Sequence, residues 1–167
     1  SLTGAPRPSA PAVLTDTNGS ATFNGVPPFL AGGGYTLAVG AAGHQATTGT
    51  TAVEPGTATV TIGRDLNRFA TLSGTVGALP SSSEATVRVA NGVTLTPLGG
   101  TAVQTTANAA DGAFGFGSLA PGTYTLSYAT VSGFITPSPQ TVTLAWGDTL
   151  AATGADYTEL ATVTVQL

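Results

Sequence analysis

Apolar and polar residues alternate with a period of two along much of the chain. Ala58, Val60 and Ile62 fall on one side of a would-be strand and Thr57, Thr59 and Thr61 on the other; Tyr124, Leu126 and Tyr128 alternate with Thr125 and Ser127 in the same way. Successive side chains of an extended chain point to opposite faces, so this pattern predicts half-buried strands. It recurs at 35–39, 72–76, 85–89, at Val93 and Leu95, at 142–144 and over 161–167, and no stretch carries a convincing helical period. Turn residues separate the runs: Asn18-Gly19, Pro55-Gly56, Asn91-Gly92, Asp111-Gly112, Pro121-Gly122 and Gly147-Asp148. Glycine reaches positive φ without strain and Asn or Asp tolerates it, which is what tight connections need. Many short strands at such spacing predict an all-β sandwich.

The pattern occurs twice. Asn18-Gly19, Phe23, Pro28 and Tyr35-Thr36-Leu37 follow one another as do Asp111-Gly112, Phe116, Pro121 and Tyr124-Thr125-Leu126, and Gly43-His44 then answers Gly133-Phe134. Between Pro28 and Tyr35 stand Phe29-Leu30-Ala31-Gly32-Gly33-Gly34, where the second half has only Gly122-Thr123, so one connection is longer by four residues. An offset of about 90 residues is the size of one sandwich domain. The expected architecture is therefore two tandem immunoglobulin-like, antiparallel β-sandwich repeats, at 1–68 and 69–160, with residues 161–167 forming a C-terminal strand.

The run from Thr15-Asp16-Thr17-Asn18-Gly19 through Phe23, Pro27-Pro28, Tyr35 and Gly43 resembles carboxypeptidase regulatory-like and related prealbumin-like or surface-protein B-type repeats. The second copy, from Asp111-Gly112 through Phe114, Phe116, Leu119, Pro121-Gly122-Thr123-Tyr124 and Gly133-Phe134, is the closer match. The resemblance implies a prealbumin-like sandwich used as a stalk, spacer, adhesin module or accessory binding domain. It rests on turn and core residues, which speak to fold far more than to activity.

The two copies differ at their starts. The second opens with a strand at Ala70 to Val76; the first has only residues 1–10 before Pro11, with Pro6, Pro8 and Pro11 removing ladder donors. The first repeat is thus expected to lack its opening strand. Conversely, Leu160 to Leu167 resembles Phe69 to Val76, as if a third repeat were beginning, while Ala161 to Val165 also resembles Ala58 to Ile62. Three placements remain open: the frame is accidental to a longer array, the last strand closes its own domain, or Ala161, Val163, Val165 and Leu167 insert into the incomplete first domain of a neighbouring subunit.

Composition narrows the function classes. Charged residues make up 7% of the chain and the net charge is −4, so no basic footprint for nucleic acid exists. No apolar run is long enough for a membrane-spanning helix. There is no cysteine to form a disulfide framework, and the basic residues are four arginines, Arg7, Arg64, Arg68 and Arg88, so a lysine-based isopeptide cross-link is excluded. Ser1 at the start and the absence of methionine fit a mature secreted chain or an excised fragment, and an extracellular or cell-surface location is expected.

Chemistry-bearing residues are few. His44, the single histidine, has no cysteine or acidic cluster near it in sequence and is expected to pack or face solvent. Asp16, Asn18 and Asp111 lie in turns, where side-chain oxygens commonly bind local amides; calcium is the alternative, but it needs six to eight oxygens and only eight acids are spread over the chain. No cofactor is expected, and no Asp or Glu sits in a recognisable catalytic context. Trp146 beside Gly147-Asp148, with Tyr157 downstream, would make a sugar-stacking platform or else an aromatic plug at the sandwich end. Phe29-Leu30 in the longer connection is a candidate protein-contact loop. The expected function is that of a non-enzymatic structural module of a fibre, stalk or layer, whose partners are copies of itself. Two alternatives stand beside it: a polysaccharide-binding accessory module, and a spacer.

Overall fold

A computed structural model describes residues 13–16, 19–27, 34–54, 56, 63–79, 81–90 and 92–165. The strand expected at 57–62 lies outside them. The chain divides into two compact units: unit 1 comprises 1–39 and 47–65, and unit 2 comprises 40–46 and 66–167.

In unit 1 the alternation at 35–39 becomes strand β1 (Tyr35–Val39), which pairs antiparallel with β2 (Thr47–Thr51), Tyr35 opposite Thr51 and Val39 opposite Thr47. The Tyr35 hydroxyl donates to the Pro27 carbonyl at 2.8 Å.

Unit 2 is an all-β sandwich. Its strands are β3 (Ala70–Leu79), β4 (Gly92–Pro97), β5 (Val103–Thr106), β6 (Ala113–Leu119), β7 (Gly122–Tyr128), β8 (Phe134–Ile135), β9 (Gln140–Leu144), β10 (Thr149–Ala151) and β11 (Ala155–Glu159). One sheet runs β5-β4-β7-β9, antiparallel throughout. The other is built around β3, which pairs antiparallel with β6 and parallel with β10 and then β11; β11 in turn pairs antiparallel with β8. The two parallel pairings depart from the wholly antiparallel expectation. They arise because the first and last strands of the unit lie side by side running the same way.

The core lies between the sheets. Leu72, Val76 and Ala78 of β3 and Phe114 and Phe116 of β6 meet Val93 and Leu95 of β4, Tyr124, Leu126 and Tyr128 of β7, and Leu144 of β9. Of these, Leu72, Val76, Val93, Leu95, Tyr124, Leu126, Tyr128 and Leu144 lie in the runs that alternate with a period of two, and burying each large aliphatic side chain contributes about 1.5–3 kcal/mol. Phe114 sets its ring edge-on to Phe116 and Tyr128, with centroids 6.2 and 6.4 Å apart. Gly74, directly opposite Phe114 across β3 and β6, leaves room for that ring: a Cβ at residue 74 would overlap it. Gly112 is required for a different reason. Its φ of +72° is left-handed, and a Cβ there would collide with the Val76 carbonyl oxygen.

The strand expected at 85–89 is instead part of a short helix, α1 (Glu84–Ala90), entered through a 3-10 turn at Ser81–Ser83. Serines ahead of Glu84 suit a helix start, and Glu84 reaches Arg88 one turn later, Oε2 to Nη2 at 2.7 Å. In a strand the same two side chains would be about 13 Å apart. Val87 of α1 is buried.

Candidate functional site

The two halves share more than sequence. In unit 1 the Asp16 amide donates to the Ser20 carbonyl (2.8 Å) and the Gly19 amide to the Asp16 carbonyl (3.0 Å). In unit 2 the Asn108 amide donates to the Ala113 carbonyl (2.8 Å) and the Gly112 amide to the Asn108 carbonyl (2.7 Å), which is the same closure with one residue more in the loop. Positive φ recurs at matching places: Gly19 and Gly112, then Gly25 and Ser118, then Gly43 and Gly133. Ser118 is the one non-glycine among them, at φ 57°.

The tyrosines extend the likeness. Tyr124 donates its hydroxyl to Ala120, the residue before Pro121, and Tyr35 donates to Pro27, the residue before Pro28. The separations are four and eight residues, so the hydroxyl reaches the same place across the longer connection. The partner strand also agrees: Tyr124 stands opposite Val142 and Thr125 opposite Thr141, as Tyr35 stands opposite Thr51 and Thr36 opposite Thr50.

Two further bonds, both inside unit 2, fix the ends of the halves. The His44 amide donates to the Ala41 carbonyl (3.1 Å) and the Phe134 amide to the Val131 carbonyl (3.2 Å), and in each turn the glycine before the donor has positive φ. The Gly43 carbonyl then accepts from Phe69 (2.9 Å), and the Gly133 carbonyl from Leu160 (2.8 Å). His44 bridges Arg68 where Phe134 pairs with Glu159. Residues 68–69 and 159–160 therefore occupy the same position in two similar surroundings.

Beyond these two positions the chain takes different paths. After Phe69 it runs straight into β3, where Leu72 is 1% exposed. After Leu160 it continues through 161–165, which join no ladder among the described residues. Val163 is 84% and Val165 76% exposed, and Ala161 is exposed as well. The expected C-terminal strand thus has the composition of a strand but no paired neighbour among the described residues. Leu167 lies outside them, as do Phe29 and Leu30 of the candidate contact loop.

The aromatic platform is not assembled. Tyr157 is fully buried in the core with its hydroxyl on the Ala129 carbonyl, so it offers no ring face to a sugar. Trp146 is half-buried and packs against Phe69, ring centroids 5.7 Å apart at 51°. Strand β11, which turns Tyr157 inward, has Ala155 and Tyr157 as its alternating apolar pair. That signal was present in the sequence and is short enough to miss.

The turn acids bind their own backbone. Asp16 Oδ1 accepts from the Ser20 amide at 2.9 Å and Asp111 Oδ1 from the Ala113 amide at 3.0 Å; Asn18 lies outside the described residues. Among the described residues no cluster of three or more His, Asp or Glu side chains could hold a metal. His44 is half-buried, its Nδ1 2.9 Å from the Ala42 carbonyl. Among the described residues no helix is long and apolar enough to cross a membrane. Burial, then the neighbouring Tyr157, raise the pKa of the Tyr128 phenol above its ordinary value, and a hydrogen bond from Gln140 offsets part of this.

No protein-family model matches the chain, and no curated protein matches it.

Proposed function

We propose that this chain is a non-catalytic structural module of an extracellular fibre, stalk or surface layer, built from two copies of one immunoglobulin-like, prealbumin-like sandwich repeat and associating head-to-tail with copies of itself by strand complementation. The observation that carries this reading is the junction. Phe69 and Leu160 donate the same hydrogen bond to equivalent glycine carbonyls, yet one leads into a buried strand and the other into an exposed apolar segment with strand alternation. Exposed Val163 and Val165 in a row present backbone and side chains suited to adding a strand to another sheet. The Thr-rich outer faces and low charge suit a surface that packs on copies of itself. Burial of Tyr157 removes the ring pair on which the polysaccharide-binding alternative rested.

The test is electron microscopy of the purified chain beside a chain lacking residues 161–167. Regular filaments from the first and dispersed particles from the second are expected. Dispersed particles from both would defeat the reading.

A further inference from the structure

Resting on that reading, the positions of the two halves can be laid over one another at side-chain resolution. In unit 2, β3 meets β6 with Leu72 opposite Phe116, Ser73 opposite Gly115 and Gly74 opposite Phe114. The shared bond at Phe69 and Leu160 places Val163 at the position of Leu72, Thr164 at that of Ser73 and Val165 at that of Gly74. The shared turn and positive-φ residues place Phe23 at the position of Phe116, Thr22 at that of Gly115 and Ala21 at that of Phe114.

At one of these places both partners change, in opposite directions. Unit 2 sets glycine against phenylalanine, and it has no alternative, because any Cβ at residue 74 overlaps the Phe114 ring. The corresponding pair would be Val165 against Ala21: the side chain that grows on the strand is matched by one that shrinks on its partner. A valine at residue 74 would press on the Phe114 ring, whereas Val165 fits opposite a strand that carries alanine in place of that ring. At the next place inward the large apolar pair is kept, Leu72 with Phe116 becoming Val163 with Phe23. Phe116 is 6% exposed under its partner strand; Phe23 is 36% exposed, and residues 20–24 join no ladder among the described residues.

We infer that residues 162–165 of one chain pair antiparallel with residues 21–24 of a second copy of the same chain, in the register that sets Val163 opposite Phe23 and Val165 opposite Ala21. The second copy is the partner because the proposed association runs head-to-tail between copies, and neither 161–165, with Val163 and Val165 exposed, nor 20–24 joins a ladder among the described residues.

The register is tested with three changes in the full-length chain, assembly being followed by light scattering and microscopy. Ala21→Phe sets a ring against Val165 and should raise the concentration needed for half-assembly on the order of tenfold or more. Adding Val165→Gly to Ala21→Phe recreates the pairing of Gly74 with Phe114 and should restore assembly. The chain has no cysteine, so Ala21→Cys combined with Val165→Cys should give a ladder of disulfide-linked multimers on a non-reducing gel, whereas Ala21→Cys with Thr164→Cys, which face opposite sides, should not. Circular dichroism of each variant shows that it is folded. Filaments that ignore Ala21→Phe and fail to cross-link would overturn the register and leave the structural role standing. A cross-link confined to single chains would overturn the choice of partner. No association by the unmodified chain at any concentration would overturn both the register and the proposed function.

Discussion

Strand β3 and the segment after Leu160 begin from the same hydrogen bond and carry the same spacing of apolar residues, yet one is the most enclosed strand of its sheet and the other stands in solvent. β3 has β6 along one edge and β10 and β11 along the other. The second segment has the alternation without the neighbours. Alternation is a property of one strand, whereas burial is a property of a pair, and the two regions separate these. The glycine at 74 belongs to the second property: it answers a ring on another strand and says nothing about its own strand's tendency to extend.

The largest expected effect breaks the comparison at its core. Leu72→Ala removes a buried side chain and should destabilise unit 2 by about 2–5 kcal/mol, whereas Val163→Ala should shift the stability of the unassembled chain by no more than about 0.5 kcal/mol. Equal losses in urea titrations would mean that the second segment is packed after all. Next, Gly74→Val places in β3 the residue found at 165. Overlap with Phe114 should cost about 1–3 kcal/mol, and Phe114→Ala in the same chain should cost less beside Gly74→Val than it does alone, a coupling readable in a double-mutant cycle.

Smaller effects sharpen it. Tyr124→Phe and Tyr35→Phe each delete one hydroxyl-to-carbonyl bond and should each cost about 1 kcal/mol; a loss confined to one of them would break the likeness between the two corners. The pH profile comes last. Because burial holds the Tyr128 phenol above its ordinary value, the stability it contributes is fully present below about pH 10 and is lost as pH rises through the folded value, where the unfolded chain has already released its proton. Residues 161–165 carry no titratable side chain, so Tyr128→Phe should flatten this alkaline limb in full-length and shortened chains alike.

The long alternating runs made β1, β4, β7 and β9 legible from sequence, because along each of them more and less buried residues alternate. The doubled pattern was legible too, since Asn18-Gly19 with Phe23 and Tyr35 stands in the same order as Asp111-Gly112 with Phe116 and Tyr124. Helix α1 was not: Ala85, Val87 and Val89 alternate with Thr86 and Arg88, and the signals against a strand, the serines before Glu84 and its spacing to Arg88, are local and short. The parallel placement of β10 and β11 on β3 was also out of reach, because pairing direction leaves no mark in a period of two. For the site, the exposed apolar segment was legible as strand-like, but the fit of Val165 to Ala21 needed the ring of Phe114 over Gly74 to be seen first. The role of Tyr157 stayed open between platform and plug because a lone Tyr near a Trp looks the same in sequence whether its ring faces solvent or the core.

The parallel alignment of β3 and β11 has a mechanical consequence. β3 is the first strand of the sandwich and β11 the last, and since the two run the same way the beginning of β3 and the end of β11 lie at opposite ends of it, about 30 Å apart for a ten-residue strand. Tension drawn along the chain would therefore slide β11 past β3 and load their hydrogen bonds together in shear, instead of peeling them open one at a time. A unit wired in this way resists stretching more than one whose outer strands unzip bond by bond.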